Sequence, residues 1–94
     1  MTFGVTLKIE TIRDEHRTTI KLIGRVQADS LPELKAQIEA TGSGVVLELG
    51  EVTLVDVEAV RFLGVCESEG IRLRHCSGYV REWIARERET DAKR

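Results

Sequence analysis

Few side chains in this sequence have the types and spacing to do chemistry. The strongest ligands and nucleophiles are two cysteines, Cys66 and Cys76, and two histidines, His16 and His75. There is no Cys-x-x-Cys pair, and the histidines lie far apart in sequence, so zinc-type spacing is absent and no metal site is expected. In a reducing compartment two such cysteines read as small buried hydrophobes, against a disulfide or a metal site. His75 falls in a strand pattern, where a packed or hydrogen-bonded ring is a simpler reading than a general base. Gly42-Ser43-Gly44 is a short turn, not a phosphate cradle, and no Ser-His-acid set, nucleophile elbow or P-loop is present. No catalytic residue and no cofactor are expected. The residues left to explain suit binding: Asp56, Val57, Glu58 and Arg61 at the start of one helix, and Tyr79 and Trp83 at helical spacing on another.

Composition narrows the class. The chain has 94 residues, enough for one domain with a single core layer between a sheet and its helices, and little room for a deep pocket. A hydrophobic share of 41% and a charged share of 32% predict a folded chain with a well-solvated surface. The formal net charge of −2 argues against a general nucleic-acid or anionic-membrane binder, which needs a basic excess. Residues 1–15 alternate apolar and polar and do not have the form of a signal peptide. No stretch approaches a membrane span. A cytoplasmic protein is expected.

The elements that must position these residues follow from periodicity. Val5, Leu7 and Ile9 alternate with polar residues and predict a half-buried strand. A charged turn, Arg13 to Arg17, leads to a second strand, Thr18 to Ile23, with Ile20 and Leu22 on one face and Gly24 at its end; the two form an antiparallel hairpin. Ser30-Leu31-Pro32-Glu33 predicts a capping box, and Leu31, Leu34 and Ile38 carry a first helix to Ala40. Thr41 to Gly44 stops it. Val45 to Leu49 reads as a central strand buried on both faces. Gly50 to Asp56 leads into a second helix capped by Asp56, with Val60, Leu63 and Cys66 on its apolar face, closed by Gly70. Ile71 to Cys76 predicts a fourth strand with Ile71, Leu73 and His75 on one face. Ser77 caps a third helix through Val80, Trp83 and Ile84, and the charges from Arg81 to Arg88 read as its solvated face. The expected domain is residues 1–88, and residues 89–94 are expected to be a disordered tail. The order β-β-α-β-α-β-α predicts an α/β fold, a small mixed four-stranded sheet covered by three helices.

Particular segments add to this order. Gly24-Arg25-Val26-Gln27-Ala28-Asp29-Ser30-Leu31-Pro32-Glu33-Leu34 resembles the strand end and Pro-Glu-Leu helix start of STAS domains, the sulphate-transporter and anti-sigma-factor-antagonist family. Val45 to Asp56 resembles that family's central strand and the loop ending in an aspartate. Gly70-Ile71-Arg72-Leu73, with Cys76-Ser77 and Val80, resembles its next strand and helix. The likeness covers residues 5 to 85. It implies a STAS-like fold and a non-catalytic protein–protein interaction module of bacterial regulation.

The resemblance also locates a departure. In antagonists of this family the aspartate precedes a phosphorylatable serine, whereas here the run is Asp56-Val57-Glu58-Ala59-Val60. Val57 has no hydroxyl and takes no phosphate. Gln27 stands where the family often has an acid, and the family's last strand and helix have no clear counterpart. Glu58 has two open readings: a fixed charge standing in weakly for phosphate, or an acid favoured in any first helical turn. Arg61 either pairs with Glu58 across one turn or offers a cation to a partner. Asp56 either caps the helix or also contacts a partner's backbone. The implied partner-binding surface is Asp56, Val57, Glu58, Arg61, Gln27 and Ala28, and its partner an anti-sigma factor or switch-kinase-like protein. Tyr79 and Trp83 are either core or a second interface. That interface would suit a homodimer or an accessory subunit of a transport or stress-signalling complex.

Overall fold

The hairpin that opens the chain is built as its alternation predicts. The computed structural model describes residues 7–42 and 44–92; Val5, Ser43 and the last two residues of the expected tail lie outside the described residues. Strands β1 (Leu7–Arg13) and β2 (Thr18–Val26) pair antiparallel, closed by a turn in which the Asp14 N–H donates to the Arg17 carbonyl at 2.9 Å. A 3₁₀ turn, Ala28–Ser30, runs into α1 (Leu31–Thr41). Then come β3 (Val45–Val55), α2 (Val57–Ser68), β4 (Arg72–Arg74) and α3 (Gly78–Ala92). The fold is α/β, with one mixed four-stranded sheet and three helices in the order β-β-α-β-α-β-α. Helical backbone continues past the expected boundary at residue 88, to Ala92.

The sheet order is β1-β2-β3-β4, with β2, β3 and β4 parallel. Crossovers between parallel strands are right-handed, and the order advances without reversing, so α1 and α2 fall on one face. The core lies there: Ile20, Leu22, Leu47, Leu49 and Val55 pack with Leu34, Val60, Leu63, Val80 and Ile84. In register, Thr11, Ile20, Leu47 and Leu73 form a row on that face, and Glu10, Lys21, Glu48 and Arg74 a row of alternating charge on the other. Opposite charges on neighbouring strands are each worth roughly 0.2–1 kcal/mol. On that charged face Val46 is only 5% exposed but lies outside the core cluster, so β3 is buried on both faces only at its start.

Four boundaries differ from the local expectations. Gly24 does not end β2: its φ of 103° accommodates a register shift, and the strand continues to Val26. Across that irregularity β3 also runs on, to Val55, through residues expected to be a loop. A bulge accepts an extra residue and lets pairing resume, and Val52 and Val55 then turn to the core. The Ser30–Glu33 capping box does not form, because Ser30 is already helical (φ −93°, ψ −13°) and its side chain makes no cap bond. A capping serine must be extended for its hydroxyl to reach back. β4 stops at Arg74 because His75 is left-handed at φ 55°. That inversion breaks the expected alternation: Cys76 turns to the core, and the His75 ring meets Glu48.

The other two helix starts follow the sequence. Asp56 is extended and its Oδ1 accepts from the Ala59 N–H at 2.9 Å; Ser77 Oγ accepts from the Val80 N–H at 3.2 Å. No described helix is long and apolar enough to cross a membrane.

Candidate functional site

The residues singled out at the start of the second helix do come together, through one carboxylate. While Asp56 Oδ1 caps α2, Oδ2 accepts from the backbone N–H of Ala28 at 2.9 Å. The turn after β2 is thereby tied to the first turn of α2. Gln27 is half-buried, Ala28 and Glu58 are exposed, and Val57 is 36% exposed. Leu54, just before the cap, is 47% exposed and extends this small apolar surface. Leu54 lies in the stretch that the sequence predicts as a loop, so it is not among the expected site residues. Strand alternation through residue 55 is the signal that finds it.

Arg61 pairs with Glu58 across one turn, as one of the two readings expects, and also reaches a second acid. Its Nη1 lies 3.9 Å from Glu58 Oε2, but its Nε donates to Glu87 Oε1 on α3 at 3.0 Å. Glu67 on α2 likewise accepts from Arg81 at 2.7 Å and lies 3.6 Å from Arg88. Much of the charge on α3 expected to be solvated therefore fastens that helix to α2. Gly64 helps, because it leaves α2 bare where the Ile84 and Arg88 side chains approach.

Between α1 and α2 runs an open hollow of about 450 Å³, floored by Leu31, Ile38, Phe62, Val65 and Cys66, with Glu58 and Arg61 at one end. Lys35 reaches across, its Nζ 5.8 Å from the Phe62 ring centre. The Cys66 thiol in this wall is pushed up to about 12, chiefly by burial and then by the Glu69 charge, against the pull of Lys35. A thiol so raised is no nucleophile at neutral pH. Burial also raises Cys76, with Glu67 adding and Arg81 opposing; both thiols are free.

Tyr79 and Trp83 stack at 5.8 Å between centroids, tilted by 54°. They divide the roles held open for them. Trp83 packs on the core, while Tyr79 is 67% exposed.

Among the described residues no three His, Cys, Asp or Glu side chains gather as a metal centre would require. No family model matches the chain, and no curated protein matches it.

Proposed function

We propose that the chain is a non-catalytic protein–protein interaction module of the STAS type, resembling a bacterial anti-sigma-factor antagonist of the cytoplasm. It lacks a phosphoryl acceptor at the family's usual position. The observation that carries this reading is the Asp56 carboxylate, which holds the Ala28 turn and the start of α2 together as one exposed surface. That surface joins two of the three segments on which the resemblance rests. Its apolar centre, Leu54 and Val57, and its rim charge, Glu58, suit a protein partner. The partner is an anti-sigma factor or switch-kinase-like protein.

Affinity capture from the source cell with wild type and Glu58→Lys tests it. Capture of a kinase-like anti-sigma factor by wild type, lost in the variant, is the expected result. Capture that the substitution leaves unchanged places the surface elsewhere. A Val57→Ser variant that a cognate switch kinase fails to label would also count against family-like use of this surface.

A second reading is an accessory or scaffold subunit of a transport or stress-signalling complex, docking through α3. The exposure of Tyr79 beside Trp83 favours it. Co-purification with transport subunits, abolished by Tyr79→Ala and indifferent to Glu58→Lys, would select it over the first.

A further inference from the structure

Neither the core nor the surface at Asp56 uses the contact between Glu48 and His75. Glu48 Oε2 accepts from the Gly50 N–H at 3.1 Å and lies 2.7 Å from His75 Nδ1. A carboxylate there holds the neutral ring with its proton on Nδ1, so the lone pair sits on Nε2. Burial alone would raise the Glu48 carboxyl, but the hydrogen bonds from His75 and Gly50, the Arg74 charge and, when the ring is protonated, the His75 charge hold it below its ordinary value. Glu48 is thus an anion beside the ring at neutral pH.

The ring is also aimed by its backbone. His75 is the non-glycine residue at positive φ among those described, and its side chain is 66% exposed. No group bonds its Nε2 among the described residues. A Cβ at Gly50 would stand 2.9 Å from Glu48 Oε2 and 3.4 Å from His75 Cβ, so glycine makes room for the pair. On the same face Arg74 stands opposite Glu48 in register, with Arg72 opposite Val46. Lys21 and Arg74, together with Glu48 and Glu51, border an open hollow of about 500 Å³ on this face, and Lys21 pairs with Glu51 at 3.2 Å. An imidazole so oriented, with Nε2 exposed and Arg74 opposite its carboxylate partner in register, suits an electrophilic phosphorus.

We propose that His75 is a modification site whose Nε2 accepts a phosphoryl group from a small-molecule or protein phosphoramidate or acyl phosphate. The Nε2 lone pair attacks phosphorus, an N–P bond forms, and the donor's bond to its leaving group breaks. The ring keeps its Nδ1 proton and becomes cationic, and the Glu48 carboxylate offsets that charge. This site stands independently of the partner-binding reading.

The test is labelling with phosphoramidate, whose P–N bond breaks to release ammonia, followed by peptide mapping under non-acidic conditions. His16 is the internal reference: its side chain is 86% exposed and its Nε2 lies 3.7 Å from Glu15, beyond hydrogen-bond reach. At neutral pH His75 is expected to label at least about fivefold faster than His16, roughly the rate gain of a charge-assisted over a neutral hydrogen bond. Phosphorus NMR should place the group on Nε2. Glu48→Gln should bring the His75 rate down to that of His16 and leave His16 unchanged. If Glu48→Gln fails to fold, the wild-type rate ratio and the labelled nitrogen still decide. Labelling of His75 no faster than His16, labelling at Nδ1, or an unchanged rate in folded Glu48→Gln overturns the proposal.

Discussion

Two carboxylates organise two different ends of this molecule. Asp56, at the start of α2, accepts from the backbone amides of Ala28 and Ala59. Glu48, on the open face of β3, accepts from the Gly50 amide and contacts the His75 ring. Backbone amides do not titrate or react, so the Asp56 region is a fixed surface, suited to being recognised. The imidazole carries a nucleophilic nitrogen, so the Glu48 region holds a group that can react. The same side-chain chemistry thus supports a docking face in one place and a reactive group in the other, and the difference lies wholly in the donors.

The comparison breaks most readily at Asp56. Asp56→Ala removes a helix cap and the tie to Ala28 together, and should destabilise by about 1–2 kcal/mol in urea unfolding, with Asp56→Asn close to wild type. A loss as small for alanine as for asparagine would mean that the carboxylate does not organise this surface. At the other end, His75→Ala gives up the Glu48 contact and keeps a Cβ at positive φ, for a cost of about 1 kcal/mol. His75→Gly should recover part of that, because glycine takes this conformation without strain. Equal stabilities of the two variants would remove backbone strain from the account.

Glu48→Gln should cost less, about 0.5–1 kcal/mol near neutral pH, since His75 is largely exposed. The Glu48 carboxyl is lowered on folding, so its contribution is present above the unfolded value and lost as pH falls through the folded one. Wild type should therefore lose stability more steeply than Glu48→Gln across the acidic range in which carboxylates titrate. Parallel curves from urea midpoints would contradict this. Val57→Ser should have the smallest effect, within about 0.5 kcal/mol, because the side chain is partly exposed in a first helical turn. A larger loss would mean that Val57 packs against the domain and is not part of a free surface.

What proved legible in the sequence were the interactions that span four residues or fewer. Asp56 and Ser77 could be named as caps because a cap reaches an amide three positions on. Ile20, Leu22, Leu47 and Leu63 could be placed in the core because strand and helix periods put them on one face. The order of elements follows from the same local patterns. Where local signals misled, the tertiary structure had other demands: the Ser30 capping box yielded to a 3₁₀ turn, and Gly24 became a point of irregularity instead of a strand end.

The tertiary structure alone decided the contacts that join distant segments. Ala28 meets Asp56, Glu48 meets His75 and Arg61 meets Glu87 across intervals that no residue pattern encodes. Their partners were set by sheet register and by how closely α3 lies on α2 past Gly64. Hydrophobic periodicity says which face of an element is buried, and so it determined the layers of this protein. It is silent on how far one element slides along another. That offset, settled by packing of the whole core, placed the charged groups of both sites.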